Sequence, residues 1–253
     1  MTVSDIHSDH RVEMIEELYN RYGRASTFKA PAARFRYWRK RYAWSLAIGT
    51  ANLLKRGIDI VLSVFLLIGL APLFLIVAIA IWLTDGGPIL YWQTRVGKWG
   101  KEFPFPKFRS MVVDADKMSE SVSNQNHVDN GERSKRQNKR KDDPRITKVG
   151  RFIRRFSIDE LPQLLNVLKG DMTLVGPRPP LPHEVVRYTL ADRRRLDVTP
   201  GLTCIWQVSG RADIPFEGQL QLDTDYIESQ TIRLDLLILL KTIKAVFIGR
   251  GAY

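Results

Sequence analysis

The chain has 253 residues, of which 44% are hydrophobic, and its 39 Lys and Arg against 27 Asp and Glu give a formal charge of +12. The length allows one large domain or two small ones, and the apolar content excludes a wholly disordered chain. The single cysteine, Cys204, excludes an intramolecular disulfide framework and a cysteine zinc cluster. The four histidines lack metal-ligand spacing, which argues against a zinc site.

Residues 1–54 form a basic and aromatic extension, in which we predict two short helices joined near Gly23–Pro31. The second, Arg34–Trp44, interleaves cations with Tyr and Trp side chains. Such a composition occurs in segments that bind nucleic acid and in interfacial helices on anionic lipid. The lipid interpretation is preferred because a membrane segment follows at once, and we therefore predict no nucleic-acid partner.

Residues 55–84 contain the longest apolar run, Ile60–Leu83, which has no charged residue. As one helix it would be about 36 Å long, enough to cross a hydrocarbon core of about 30 Å. Pro72 lies at its midpoint, removes an intrahelical hydrogen bond and leaves each half too short to cross alone. Basic residues flank the run on both sides, which fits entry and exit through the cytoplasmic face. We predict a re-entrant helix–break–helix at Pro72, with a kinked single span as the alternative.

Residues 85–253 are predicted to form a small cytoplasmic domain, so that the fold class is helix-dominated α+β with a membrane-inserted segment and interfacial amphipathic helices. Ile89–Arg95 and Lys101–Phe108 indicate a β-hairpin. Residues 114–145 are polar and are expected to form a flexible loop, and a basic helix follows from Ile146. The last helix, Leu234–Ile248, either lies on the bilayer or packs in the core.

The stretch Ser157–Asp171 places two adjacent carboxylates, Asp159 and Glu160, at a predicted helix start. Pro162 is compatible only with a first turn. The positive helix end would keep a carboxylate ionised and bind phosphate, so one acid could attack while the other holds a metal. The alternative is structural: Ser157 and Glu160 also form an S-x-x-E capping box. A buried leucine stripe is predicted at Leu161, Leu164, Leu165 and Leu168.

Further candidate ligands lie in three other segments. A proline-rich turn, Val175–Pro180, holds Arg178, although the arginine could be incidental to a connector. A Ser-Gly-Arg sequence supplies Arg211 as a second phosphate ligand. The remaining candidates are Lys107 and Arg109 at the end of the hairpin, and Asp223 and Asp225 as metal-binding or structural acids.

Four segments in this order closely resemble the bacterial sugar transferases, monotopic phosphoglycosyl transferases that start exopolysaccharide and other surface-glycan assembly. The segments are KRGIDIVLSVFLLIGLAPLFLIVAIAI, PKFRSM, DPRITKVGRFIRRFSIDELPQLLNVLKGDMTLVGPRP and PGLTCIWQVSGR. The resemblance extends from about Lys55 to Tyr253. It implies transfer of a sugar 1-phosphate from a UDP-sugar to undecaprenyl phosphate, with release of UMP, at the bacterial cytoplasmic membrane with the catalytic domain facing the cytoplasm.

The resemblance also implies roles for individual residues. Asp159 matches the nucleophile that forms a covalent phospho-sugar intermediate, and Glu160 beside it matches a ligand of the required Mg²⁺. Arg211 matches a phosphate ligand, and Pro72 matches the break in the family's re-entrant helix. Arg178, Lys107 and Asp223 match positions near the site. Cys204 departs from the Gly that the family often carries there.

A non-enzymatic membrane adaptor that uses its basic N-terminus is the alternative function. The sequence leaves open which sugar is transferred and whether the chain forms oligomers.

Overall fold

The computed structural model describes residues 31–113, 115, 143–210 and 214–248. The first predicted helix, most of the predicted loop at 114–145, and Arg211 lie outside these described residues. The contacts divide the chain into two units, Met1–Leu54 and Lys55–Tyr253.

The described residues form a helix-dominated α+β structure with two small sheets, which confirms the predicted fold class at that level. The α-helices are α1 (Pro31–Gly69), α2 (Ala71–Asp85), α3 (Lys148–Arg155), α4 (Leu164–Lys169), α5 (Pro182–Val185), α6 (Ile205–Ser209), α7 (Phe216–Ser229) and α8 (Ile232–Ile248). The strands are β1 (Leu90–Val96), β2 (Glu102–Phe108), β3 (Thr173–Val175) and β4 (Gly201–Thr203). Short 3₁₀ helices occupy Lys98–Gly100, Ile158–Gln163 and Asp192–Asp197.

Helices α1 and α2 form a bent pair, as the sequence predicts, but the break does not lie at Pro72. Helix α1 ends at Gly69 and α2 begins at Ala71, so Leu70 is the residue between them. Pro72 occupies the first turn of α2, where a missing N–H costs no intrahelical hydrogen bond. The proline therefore starts the second helix instead of interrupting one long helix. The predicted helix Arg34–Trp44 is the first part of α1 and is not separated from the apolar part.

No helix in the described part of the chain is long and apolar enough to cross a bilayer by itself. The pair Gly49–Gly69 and Ala71–Asp85, bent by 58°, meets the length and hydropathy requirement together. One face of this pair packs against the rest of the second unit through Leu66, Val77 and Ile81. The other face leaves large apolar side chains exposed, among them Phe65, Ile68, Leu75 and Leu83.

Strands β1 and β2 pair antiparallel and confirm the predicted hairpin, with Gln93 opposite Phe105. Because side chains alternate along a strand, one face of the hairpin carries every second residue of each strand. That face presents Tyr91, Gln93 and Arg95 from β1 and Phe103, Phe105 and Lys107 from β2.

A second, two-stranded sheet was not expected from the sequence. Strands β3 and β4 are parallel, with Thr173 opposite Gly201 and Val175 opposite Thr203. Beyond β3, Gly176 lies directly against the backbone of Gly201, and a Cβ atom on either glycine would meet the other's main chain. This close approach fixes the start of the proline-rich turn that carries Arg178.

A glycine also sets the position of helix α3, whose start is capped by the Thr147 hydroxyl accepting from the Gly150 N–H. Gly150 lies against the backbone carbonyl of Ser110, just beyond β2, and no Cβ could be accommodated there. Arg154 Nε donates to the Ser110 hydroxyl at 2.8 Å. Helix α3 is thus held against the end of the hairpin immediately before the Asp-Glu pair.

Helix α8 buries one face and exposes the other. Ile238 is buried in the core cluster, while Leu236, Leu240, Ile243 and Phe247 are exposed. Core packing, one of the two predictions for this helix, therefore holds for the inner face only.

Candidate active site

The Asp-Glu pair lies in a tight turn and not at the start of an α-helix. Ser157 adopts a left-handed conformation with φ of 55°, and the next six residues, Ile158–Gln163, form a 3₁₀ helix. The Ser157 side chain makes no capping hydrogen bond, so the alternative of a capping box is wrong. A 3₁₀ helix this short does not supply the macrodipole that we expected to act on the carboxylates.

The 3₁₀ geometry also changes which side chains are buried after this turn. Leu164 and Val167 are fully buried, but Leu165 is 43% exposed, so the predicted leucine stripe is wrong at that position. The predicted stripe was based on an α-helix with 3.6 residues per turn from the first residue. A 3₁₀ helix has 3.0 residues per turn, which changes the direction in which the following side chains point.

Glu160 binds two cations through both of its carboxylate oxygens. Arg178 donates from Nη2 to Oε1 at 2.6 Å and from Nη1 to Oε2 at 3.2 Å, while Lys107 Nζ donates to Oε1 at 3.1 Å. Burial alone would raise the pKa of Glu160, but the charges and hydrogen bonds of Arg178 and Lys107 hold it well below its usual range. Glu160 is therefore a fixed anion at the centre of a basic cluster.

Asp159 has the opposite environment although it is the adjacent residue. It is 9% exposed, and within the described residues it accepts no hydrogen bond that would stabilise its charge. Burial, followed by the charge of Glu160, raises the pKa of Asp159 to about 6, although Lys107, Arg154 and Arg178 oppose the shift. No α-helix end acts on Asp159 to keep it ionised, contrary to the prediction from the sequence, and desolvation dominates its pKa. At neutral pH Asp159 is still mostly ionised.

Both carboxylates line one large cavity of about 1010 Å³. Its floor near the acids is polar and basic, formed by the hairpin face, the 3₁₀ turn and the Arg178 turn. Leu62 and Phe65 of α1 and Ile243 and Val246 of α8 line the same cavity. The space is therefore continuous from a basic cluster to an apolar wall contributed by α1 and α8.

The structure brings together most of the predicted site residues in this cavity. Lys107 and Arg178 lie at Glu160, as described. Arg109 lines the cavity but forms an ion pair with Asp85, the last residue of α2. Arg211 lies outside the described residues, so its phosphate role stays a prediction. Three further cavity-lining arginines were not predicted: Arg95, Arg154 and Arg195.

Asp223 does not line the cavity and acts beneath it. It is 1% exposed and forms an ion pair with Arg195 at 2.6 Å. Burial raises its pKa to about 6, although Arg195 opposes the shift. Arg195 in turn donates to the Tyr188 hydroxyl at 2.8 Å and to the backbone carbonyl of Arg178 at 3.3 Å. Asp223 is thus a structural acid that supports the cation cluster through Arg195.

The residues of the cavity fit a magnesium ion whose coordination the substrate completes. The described residues contain no group of three or more His, Cys, Asp or Glu side chains that could hold a metal. Mg²⁺ commonly binds through one or two carboxylates together with substrate phosphate oxygens, and Asp159 and Glu160 supply two adjacent carboxylates. Since both oxygens of Glu160 bond to cations, Glu160 would have to exchange one partner for the ion.

Comparison with known proteins identifies relatives of this chain. Residues 50–249 match the family described as bacterial sugar transferase. The chain is 45% identical over 212 residues to undecaprenyl-phosphate galactose phosphotransferase of Salmonella typhimurium, a match that covers 83% of this chain and 44% of that protein. It is 41% identical over 200 residues to the exopolysaccharide production protein ExoY of Sinorhizobium fredii, covering 79% of this chain and 88% of that protein.

A third relative is undecaprenyl-phosphate glucose phosphotransferase of Komagataeibacter xylinus, 40% identical over 213 residues, with 79% of this chain and 37% of that protein covered. The chain thus spans less than half the length of the galactose and glucose phosphotransferases that it matches.

Proposed function

The chain belongs to the bacterial sugar transferase family, and from this premise we propose that it transfers a sugar 1-phosphate from a UDP-sugar to undecaprenyl phosphate and releases UMP. Two relatives named as undecaprenyl-phosphate phosphotransferases support the lipid acceptor. The relative named as an exopolysaccharide production protein supports a role at the start of exopolysaccharide assembly. The named relatives differ in their sugar, galactose or glucose, and a panel of UDP-sugars identifies the sugar that this chain transfers.

The observation that carries this proposal is the pairing of an open carboxylate with a basic cluster in one cavity. A diphosphate repels an anionic nucleophile, and the cations around Glu160 reduce that repulsion. Asp159 lies beside these cations with oxygens that accept no hydrogen bond from the described residues, so they are available to attack phosphorus.

In the first step, an Asp159 carboxylate oxygen attacks the phosphorus that bears the sugar. A bond forms between that oxygen and phosphorus, the phosphorus–oxygen bond to the second phosphate breaks, and UMP leaves with the electron pair. The product is an acyl phosphate between Asp159 and the sugar 1-phosphate. Lys107 and Arg178 stabilise the charge that develops on the transferring and leaving phosphates.

In the second step, a phosphate oxygen of undecaprenyl phosphate attacks the same phosphorus. The bond to Asp159 breaks, the carboxylate is regenerated, and the lipid diphosphate sugar is released. Covalent catalysis thereby divides one difficult displacement into two easier ones. Magnesium, held by Glu160 and Asp159 together with substrate phosphate, would neutralise diphosphate charge when bound.

A site at the membrane is required because the acceptor is a lipid. The exposed apolar face of the α1–α2 pair supports insertion into a bilayer. Helix α2 has 15 residues and is about 22 Å long, shorter than the hydrocarbon core of about 30 Å. We propose that the pair enters and leaves through the cytoplasmic face of the inner membrane, with the rest of the second unit on that face.

The direct test is Asp159→Asn in the full chain, purified in detergent and assayed for UMP release from a panel of UDP-sugars with undecaprenyl phosphate. We expect turnover to fall by about 10³-fold or more, since an amide cannot form the intermediate. Wild type incubated with a UDP-sugar labelled in its sugar-bearing phosphate should carry label on the polypeptide, and Asp159→Asn should not. Full activity of the variant, or no labelled wild type, would contradict the covalent route.

The rival function, a non-enzymatic adaptor, is not favoured by the family membership. It predicts that UMP release is absent in every condition. The enzyme predicts UMP release that EDTA abolishes and that added Mg²⁺ restores, and activity unchanged by EDTA would reject the magnesium part of the proposal.

A further inference from the structure

The cations that line the cavity are not all balanced by acids. Lys107 and Arg178 both form ion pairs with Glu160. Arg109 pairs with Asp85, and Arg195 pairs with Asp223. Arg154 bonds to the neutral Ser110 hydroxyl, and Arg95 likewise bonds, within the described residues, only to neutral groups. Its Nε and Nη2 donate to the Gln93 side-chain oxygen at 3.2 and 2.8 Å, and its Nη1 donates to the Pro179 carbonyl at 3.0 Å.

These contacts fix the guanidinium of Arg95 and leave some of its N–H donors unused. A guanidinium has five N–H donors, and three of them are used in the bonds to Gln93 and Pro179. The guanidinium lies 5.2 Å from the centroid of the Phe105 ring, the same ring that Lys107 Nζ approaches at 5.2 Å. Burial and the charge of Arg178 lower the pKa of Arg95 to about 10, so it remains a cation at neutral pH. A held cation without an acidic partner is suited to binding an anion.

The position of Arg95 relative to Asp159 indicates which anion it binds. Arg95 holds the carbonyl of Pro179, directly after Arg178, whereas Arg154 lies on α3, the helix just before Asp159. Arg95 is therefore tied to the Arg178 turn, which contacts Glu160, whereas Arg154 belongs to the helix that leads into the nucleophile.

We propose that Arg95, presented by β1 through Gln93 and Pro179, binds the phosphate of the leaving nucleotide, the one that Asp159 does not attack. The proposal rests on the function proposed above, because it assigns the two donor phosphates to different places. The sugar-bearing phosphorus must lie at Asp159, and we place the second phosphate at the Arg178 turn, where Arg95 is held. The two unused N–H groups of Arg95 can donate hydrogen bonds to two oxygens of a phosphate monoester.

The test is equilibrium binding of UMP and of uridine to the full-length protein in detergent, which needs no turnover. We expect Arg95→Gln to weaken UMP binding about 10- to 100-fold, the loss of a charge-assisted phosphate contact, and to leave uridine binding unchanged. Arg95→Lys should lie between wild type and Arg95→Gln, because an ammonium keeps the charge but not the fork. If Arg95→Gln does not fold, Arg95→Lys by itself tests the phosphate contact. The matched control is Arg151→Gln, an exposed arginine on α3, which should bind UMP as wild type does.

Each other outcome rejects part of this account. Equal losses for UMP and uridine would assign Arg95 a purely structural role, and unchanged UMP binding by Arg95→Gln would remove the contact while leaving the proposed function intact. A selective loss of binding to a short-chain polyprenyl phosphate, with UMP unaffected, would place the acceptor phosphate there instead. Wild type that binds no UMP at all would contradict the proposed function as well.

Discussion

Two buried acidic clusters in the second unit are built in opposite ways. In the first, Asp59 of α1 accepts from the Thr173 hydroxyl at 2.6 Å and from the Leu174 N–H at 3.0 Å. Asp235 of α8, in the same cluster, accepts from Lys55 Nζ at 2.5 Å and from the hydroxyl of Tyr226 at 2.7 Å. The second cluster contains Asp159 and Glu160, as described above.

The difference separates a structural network from the proposed reactive site. Buried polar groups are normally paired, and a fully paired network rigidifies the elements that it joins. The Asp59 and Asp235 cluster ties α1 to β3 and α8 in this way, and the Asp235 charge, after burial, raises the pKa of Tyr226. Asp159 is buried without such partners, which costs stability and keeps its oxygens available.

The comparison is tested most severely by breaking the paired network. Asp235→Ala leaves the Lys55 ammonium partly buried without its counterion, and we expect the free energy of unfolding to fall by about 3–5 kcal/mol. Thermal or denaturant unfolding in one detergent measures this. The control is Glu228→Gln, which removes an exposed ion pair with Arg194 and should cost less than about 1 kcal/mol. Equal losses in the two variants would show that the network contributes little.

The opposite change in stability is expected at the reactive site. Ionisation of Asp159 is unfavourable in the folded state, because its pKa of about 6 lies above the ordinary value of 3.8. Asp159→Asn should therefore stabilise the protein above pH 6, by at most about 3 kcal/mol. The gain should disappear below pH 4, where both states of the wild type are protonated. Asp225→Asn, an exposed control, should change stability by less than about 0.5 kcal/mol.

The raised pKa of Asp159 also predicts the pH dependence of the first chemical step. A protonated carboxyl is a poor nucleophile, so the rate constant of the single-turnover UMP burst should fall about tenfold per pH unit below pH 6. The burst is measured without lipid, so that the acceptor phosphate does not contribute. A burst that is constant from pH 5 to pH 8 would contradict a buried carboxylate nucleophile.

Glu160→Gln should sharpen the assignment of this pKa. The Glu160 charge raises the pKa of Asp159, and its removal also leaves Lys107 and Arg178 free to stabilise the Asp159 anion. We therefore expect the pH below which the UMP burst rate declines to be lower in Glu160→Gln than in the wild type. This shift is independent of any change in the maximal rate. A decline that begins at the same pH or at a higher pH would mean that another group titrates.

Much of this architecture could be predicted from the sequence where local signals agree with the fold. Alternating residues around Gly97 and Gly100 identified the hairpin, and the uncharged run around Pro72 identified the bent pair. The prediction failed where backbone geometry departed from the assumed form. The turn after Ser157 is 3₁₀, so no capping box forms and Leu165 of the predicted leucine stripe is exposed.

The sequence predicted the residues around Glu160, but it did not predict three arginines elsewhere in the lining of the cavity. Asp159, Glu160, Arg178 and Lys107 lie in conspicuous motifs, whereas Arg95, Arg154 and Arg195 lie in segments whose charges look like ordinary solvated residues. Alternation along β1 could have identified Arg95, since Gln93 and Arg95 share a face with Lys107 across the hairpin. Arg195 had no such signal, because its ion pair with Asp223 depends on the packing of α7 beneath the cavity.

The contact between Gly150 and the Ser110 carbonyl has a consequence for how this fold can vary. With no side chain between them, the two backbones approach so closely that a Cβ atom on Gly150 would clash with the Ser110 main chain, and the Asp-Glu turn follows within a few residues. Even alanine would push them apart and move Glu160, the neighbour of Asp159, relative to Lys107 on β2. In a saturation library position 150 should accept a single amino acid, while Arg151 next to it should accept many.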